Sequence, residues 1–122
     1  LVVVPYNEGA VNANLAIQFE TGTDRLGAND QAVLNRLASV MQKAELRTVR
    51  FAVAGHTDKV GSDAVNLPLS CARALSVRKY LISRGVAADR LTAYGFGSAQ
   101  PLNPDRRDAP ENRRVEIRRG DQ

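Results

Sequence analysis

The stretch Val49-Arg50-Phe51-Ala52-Val53-Ala54-Gly55-His56-Thr57-Asp58-Lys59-Val60-Gly61-Ser62 decides the fold. Val49, Phe51 and Val53 alternate with Arg50 and Ala52, the period of a strand with one face on a core. Gly55 ends that strand, and His56 to Ser62 read as a polar turn. Beyond it the period changes. Ala74, Val77, Tyr80 and Leu81 share one helical stripe, and Gly85 marks its C-terminal stop. The helix is expected to begin between Ser62 and Ser70, since either serine can cap and Pro68 favours a first turn.

Working outward, Leu15, Ile17 and Phe19 alternate with Ala16 and Gln18 as a short strand. Gly22 to Gly27 is a loop. Val33, Leu34, Leu37, Val40 and Met41 then line one face of a helix running from Asn29 to Lys43. Leu1 to Val11 reads as a weak lead-in, an apolar run stopped by Pro5 and an Asn7-Glu8-Gly9 turn. Downstream, Leu91 to Tyr94 is a strand closed by Gly95. Gly97 to Glu111 holds three of the five prolines and reads as a long surface loop. Val115 and Ile117, alternating with Arg114, Glu116 and Arg118, make a last strand. The predicted order is β-α-β-α-β-β. It implies an α/β fold, an α+β two-layer sandwich in which a mixed four-stranded sheet packs on helices. The expected division is a lead-in at 1–13, one domain at 14–118 and a tail at 119–122.

The 122 residues suffice for one domain with one core. Hydrophobic residues at 43% and charged residues at 25% are ordinary for a globular chain. No apolar run approaches the roughly 20 residues that cross a bilayer. The chain opens at Leu1 without a cationic leader, so a piece of a longer protein is expected and no compartment follows. Seventeen Lys and Arg against thirteen Asp and Glu leave a net charge of +4, which suits an anionic partner. Cys71 is alone and cannot form an internal disulfide, so a buried thiol is expected. With His56 the one histidine, a metal site would rest on carboxylates. No metal and no cofactor are expected.

Open sheets tend to bind ligands beyond strand C-terminal ends, and Asp58 sits at such a place. It could meet a cation, or it could only shape its loop through an Asx-type turn. Arg73 lies four residues before Val77, so it extends the buried stripe of its helix. In the first turns of that helix the dipole would disfavour a cation. An inward arginine there needs an anion, either Asp58 itself or a ligand. Arg113 shares parity with Val115 and Ile117 and faces inward, while Arg114 faces out. Arg113 could also snorkel past the sheet end. Two inward arginines and one loop carboxylate suggest a polar pocket at a sheet edge.

Gly55-His56-Thr57-Asp58, Gly61-Ser62, Asn66, Leu69-Ser70, Arg73-Ala74, Val77 and Tyr80-Leu81 together resemble the core motif of OmpA-like peptidoglycan-binding domains. The likeness continues through Gly85-Val86, Arg90-Leu91, Gly95-Phe96-Gly97, Pro101 and Asn112-Arg113-Arg114-Val115-Glu116-Ile117. It covers residues 14 to 118. That family is also found in Pal lipoproteins and MotB-type stators. The resemblance implies a non-catalytic domain that grips the diaminopimelate residue of the peptidoglycan stem peptide. By the same likeness Asp58 takes the ligand's ammonium and Arg73, fifteen residues on, takes its carboxylate. Asn66 and Arg113 match positions that complete the pocket, and Thr57 of the same turn joins them. Thr21 to Asp24 would form one wall, where Gly22 and Thr23 depart from the commoner acidic or asparagine-bearing versions.

The partners so implied are peptidoglycan and a membrane anchor of the parent protein outside this segment. The location implied is the periplasm, in a cell-envelope protein associated with the outer membrane. Both a monomer and a homodimer stay open. Two other readings compete. Val49 to Val53 has a faint likeness to an aromatic-basic RNA-binding strand, but three Phe, three Tyr and no Trp provide few stacking platforms. No nucleic acid is expected. A hydrolase using His56 and Asp58 lacks a nucleophile beyond Thr57, so an enzyme is not expected either.

Overall fold

A computed structural model of the chain describes residues 2–5, 11–15, 25–58, 62–99, 103–106, 108 and 112–119. Five strands and two α-helices follow in the order β1 (Val2–Pro5), β2 (Val11–Leu15), α1 (Ala28–Met41), β3 (Phe51–Gly55), α2 (Asp63–Ser83), β4 (Leu91–Gly95) and β5 (Val115–Arg119). The sheet order is β1-β2-β5-β3-β4. β3 and β4 run parallel, which requires a crossover, and α2 supplies it. β5 lies antiparallel to β3 on one side and to β2 on the other, pairing Ile117 with Val53 and with Ala13.

The two-layer α/β architecture with a mixed sheet is the expected one. The sheet has five strands where four were expected, because Val2–Pro5, read as lead-in, pairs with Val11–Leu15. The strand expected from Leu15 to Phe19 meets the described residues only at Leu15. Ile17 and Phe19 lie outside them, as does the wall expected at Thr21 to Asp24.

Local chemistry accounts for the helices. The Gly27 N–H donates to the Asp30 carboxylate at 3.0 Å, and that acid also suits the positive end of α1. α2 starts behind Ser62, with Asp63 in its first turn. Pro68 therefore lies inside the helix and not in its first turn, so its missing N–H costs one hydrogen bond. α2 stops in a Schellman motif. Gly85 adopts φ 107°, its N–H donates to Ile82 O at 3.0 Å, and Val86 N–H donates to Leu81 O at 3.1 Å.

The core gathers Leu34, Ala38 and Met41 of α1 with Ala74, Val77 and Leu81 of α2. Val53, Val115 and Ile117 face them from the sheet, joined by Val86 and Leu91. Each fully buried Leu or Val contributes about 1.5–3 kcal/mol. Val40, expected on the α1 stripe, is instead exposed at its edge. At the start of the parallel strands two arginines act as backbone ties. Arg90 donates to Val49 O, Met41 O and Leu46 O, and Arg78 to Leu91 O and Ala88 O.

At the other end, Gly55 and Gly95 are register partners, and α2 crosses directly over them. A Cβ on Gly55 would collide with the Ser70 carbonyl, and one on Gly95 with Cys71 and the Ser70 hydroxyl. These two glycines let the first half of α2 sink onto the strand ends.

Candidate functional site

The chain leaves β3 into His56, Thr57 and Asp58, and this turn is buried, at 1%, 2% and 3% exposure. Connecting segments usually run over the surface, because buried backbone needs partners. Here the partners exist. His56 N–H donates to Arg114 O at 2.9 Å and Thr57 N–H to Gly97 O at 2.8 Å. Gly97 takes φ 58°, and its own N–H donates to Ser70 Oγ at 2.8 Å. Ser70 Oγ in turn donates to Leu67 O at 2.7 Å. Helix, turn and the loop after β4 are thus laced together through one hydroxyl.

Around this lacing stand the residues singled out from the sequence. Arg73 is 1% exposed, and its Nη1 donates to His56 O at 3.4 Å. Asn66 Nδ2 donates to Asp58 O at 3.4 Å. Arg113 Nη1 donates to Asp58 Oδ2 at 2.9 Å, a pair with side chains 16% and 4% exposed. Thr57 Oγ1 is buried with no hydrogen-bond partner among the described residues. Asp58, Asn66, Thr57, Arg73 and Arg113 therefore converge on one recess at the strand ends.

The anion need of Arg73 has a different origin from the one expected. Since α2 begins at Asp63, Arg73 is well past the first turn, and burial rather than the helix dipole penalises its charge. Asp58 pairs with Arg113, so that arginine does face inward as its parity predicts. Asn112, wholly buried, delivers it. Its Oδ1 accepts from Asn103 N–H at 2.8 Å, and its Nδ2 donates to Arg106 O at 2.9 Å. Ser70 is an interior tie and not a helix cap.

The opposite sheet face carries residues that sequence reasoning sent to solvent. Arg114 and Glu116 were expected to face out, yet they are 8% and 4% exposed. β5 is an inner strand, lying between β2 and β3. Glu116 Oε1 accepts from His56 Nε2 at 3.2 Å and from Arg118 Nη2 at 2.7 Å. The His56 ring stacks on Phe96 with centroids 5.4 Å apart, and the Arg118 guanidinium lies 5.0 Å from the Phe96 centroid.

Burial lowers the His56 pKa below its usual 6.5, against the raising pull of Glu116, so the ring is neutral at pH 7. Burial works to raise the Glu116 pKa. The hydrogen bonds from His56 and Arg118 outweigh it and hold that carboxyl down at about 2. Desolvation, with Arg118 nearby, lowers the Arg114 pKa. The signal that could have located Glu116 is the alternation Arg114-Glu116-Arg118, a carboxylate between two guanidinium groups on one strand face.

Two other features lie apart from the recess. Cys71 is half-buried against Gly95. A groove of about 440 Å³ runs between the start of α1 and α2, lined by Arg25, Leu26, Gln31, Lys79 and Tyr80 among others. None of the recess residues lines it. Among the described residues no His, Cys, Asp and Glu cluster could hold a metal ion, and no helix is long and apolar enough to cross a membrane.

Against known proteins, residues 18–115 match the OmpA family. Outer membrane protein P5 of Haemophilus influenzae is 40% identical over 89 residues, covering 73% of this chain and 25% of that protein. Peptidoglycan-binding protein ArfA of Mycobacterium tuberculosis is 37% identical over 116 residues, covering 90% of this chain and 34% of ArfA. The chain thus spans between a quarter and about a third of the length of these relatives. The periplasmic domain of Helicobacter pylori MotB superposes with a TM-score of 0.83 at 26% identity, over 100% of this chain and 90% of that one.

Proposed function

Because the chain belongs to the OmpA family, we propose that it is a non-catalytic module that binds bacterial peptidoglycan. The group gripped is the zwitterionic head of the diaminopimelate residue in the stem peptide. Asp58 takes the ammonium and Arg73 the carboxylate, while Asn66, Thr57 and Arg113 complete the recess. The module tethers a parent envelope protein to the wall from the periplasmic side of the outer membrane, and residues 14–118 carry the binding.

The observation that supports this reading most is the convergence of a buried carboxylate and a buried guanidinium on one three-residue turn. Diaminopimelate carries an ammonium and a carboxylate on one carbon, so its receptor needs an acid and a base a few ångströms apart. A guanidinium presents five N–H donors in a planar fork, and that fork matches a carboxylate bidentately. Lysine would not do the same. The Thr57 hydroxyl, which has no partner among the described residues, is a further reason to expect a polar ligand, since buried polar groups are normally hydrogen-bonded. Each charge-assisted bond contributes on the order of 1.5–3 kcal/mol. One site therefore binds modestly, and repetition of stem peptides along the wall adds avidity.

Co-sedimentation with insoluble, diaminopimelate-containing peptidoglycan tests this, with wild type and Arg73→Ala side by side. The wild type is expected in the pellet and the variant in the supernatant. Both in the pellet would assign binding to bulk positive charge and overturn the recess. Both in the supernatant would overturn peptidoglycan as the ligand.

A further inference from the structure

The His56 residue joins two polar clusters on opposite faces of the sheet. Its carbonyl accepts from Arg73 on the helix side, while its ring donates to Glu116 on the other. Four side chains close a ring there: Glu116 holds His56 and Arg118, and both rest on Phe96. Nothing in the proposed ligand grip uses this ring, yet it buries an ionised carboxylate and the one histidine of the chain.

We propose that Glu116, with Arg118 and Phe96, is a positioning device that fixes His56 so that its carbonyl aims the Arg73 guanidinium at the ligand carboxylate. The inference rests on the reading of Arg73 given above. Backbone bonds hold the peptides on either side of His56, Gly55 O accepting from Phe96 N–H at 3.0 Å and Thr57 N–H donating to Gly97 O at 2.8 Å, and the ring is the side-chain anchor between them. The neutral His56 ring donates from Nε2 to Glu116, which sets the ring and hence the side-chain torsions. With the ring fixed on Phe96, His56 N–H on Arg114 O and Thr57 N–H on Gly97 O, the carbonyl points toward α2. Thr57 and Asp58 follow directly and inherit that orientation. A site whose supporting shell is loose by an ångström loses recognition before it loses its fold. Glu116 touches no ligand atom in this scheme. Its effect passes through His56.

The test measures dissociation constants by calorimetry for two soluble muropeptides, one with the free diaminopimelate carboxylate and one with that carboxylate amidated. Wild type, Glu116→Leu, Glu116→Gln and Arg118→Met are compared, each at a temperature where it is folded. The wild type is expected to prefer the free carboxylate by about tenfold or more, one charge-assisted bond's worth. Glu116→Leu should bring the preference close to one. Glu116→Gln, which keeps an acceptor for His56, should restore most of it, and Arg118→Met should fall between. A purely structural role would lower both affinities together and leave their ratio at the wild-type value, and that outcome overturns the proposal. Arg118 sits at a partly exposed position, so its variant decides the matter even if Glu116→Leu does not fold. A wild type that bound both muropeptides with no preference, or neither, would overturn the Arg73 assignment and this inference together. A wild type with the preference and variants that keep it would overturn this inference alone.

Discussion

The buried stripe of α2 changes character at Arg73. Before and at that residue it presents Asn66, Ser70 and Arg73, and after it Ala74, Val77 and Leu81. Both halves are equally buried, so burial does not separate them. What separates them is what lies underneath. The apolar half rests on Val53, Val115 and Ile117, where side chains need only shape. The polar half rests on twin glycines and a backbone turn, where every group needs a donor or an acceptor. One helix face thus holds the fold together at one end and builds a recess at the other. A continuous stripe of buried positions is therefore compatible with two tasks, and only the side-chain chemistry says where one gives way to the other.

The largest effects should come from exchanging truncations between the halves. Leu81→Ala leaves a cavity and should cost about 2–5 kcal/mol in urea unfolding, while the folded protein pellets with peptidoglycan as wild type does. Arg73→Ala should do the reverse. Binding to a soluble muropeptide should weaken about a hundredfold or more, the loss of a bidentate pair, while stability falls less than for Leu81→Ala. If Arg73→Ala proved the less stable of the two and still bound, the polar half would be structural and the contrast would fail.

Much of this contrast was legible in the sequence, because it depends on local spacing. The interval from Arg73 to Val77 put the arginine on the buried face, and the alternation at Phe51 and Val53 put Asp58 just past a strand end. Parity placed Arg113 inward. The start of α2 was legible only as a range, since Ser62 and Ser70 can both cap and Pro68 favours a first turn. The hairpin of β1 and β2 left a trace in the alternation of Val11, Ala13 and Leu15 with Asn12 and Asn14. Its partner Val2 to Val4 is an unbroken apolar run with no period to read. Glu116 was misplaced for a different reason. Period two tells which residues share a face, and not whether that face meets water. That depends on β5 being an inner strand and on a contact between His56 and Glu116 across 60 residues.

Acid should separate the two halves again, more gently. The Glu116 carboxyl titrates at about 2 in the fold against an ordinary 4.5, so the unfolded chain binds its proton first as pH falls. Its contribution, roughly 3 kcal/mol by that difference, is complete above about pH 4.5 and is lost as pH drops toward 2. His56 adds a limb at higher pH. Its folded pKa is depressed by burial, so stability is full above 6.5 and declines as pH falls below it, until the folded group also protonates. Urea midpoints measured from pH 8 to pH 2 should show both limbs in wild type. Glu116→Gln should remove the lower one, and His56→Gln, which keeps a donor but does not titrate, should flatten the upper one. Leu81→Ala should shift the whole curve down without changing its shape. A wild-type curve flat between pH 7 and 3 would mean that the buried cluster has no linkage to folding.

The smallest effect expected is at Cys71, and it sharpens where the polar half ends sideways. Cys71 follows Ser70, so it lies about a quarter turn around α2 from the stripe, facing Gly95 instead of the turn at 56–58. Its side chain is half-buried. Cys71→Ser removes a soft apolar sulfur and adds a hydroxyl that can reach water or donate back to the carbonyl one turn earlier. The two changes are small and opposite in sign, so stability should move by less than about 1 kcal/mol. Binding to the muropeptide should stay within about twofold of wild type, since the sulfur lies against Gly95. Ser70→Ala is the control one position away. It strips the Gly97 N–H of its acceptor and should cost about 1–3 kcal/mol, with weaker binding as the loop loosens. If Cys71→Ser matched Ser70→Ala in lost affinity, the recess would extend around the helix to Gly95 and the boundary drawn along the stripe would have to move.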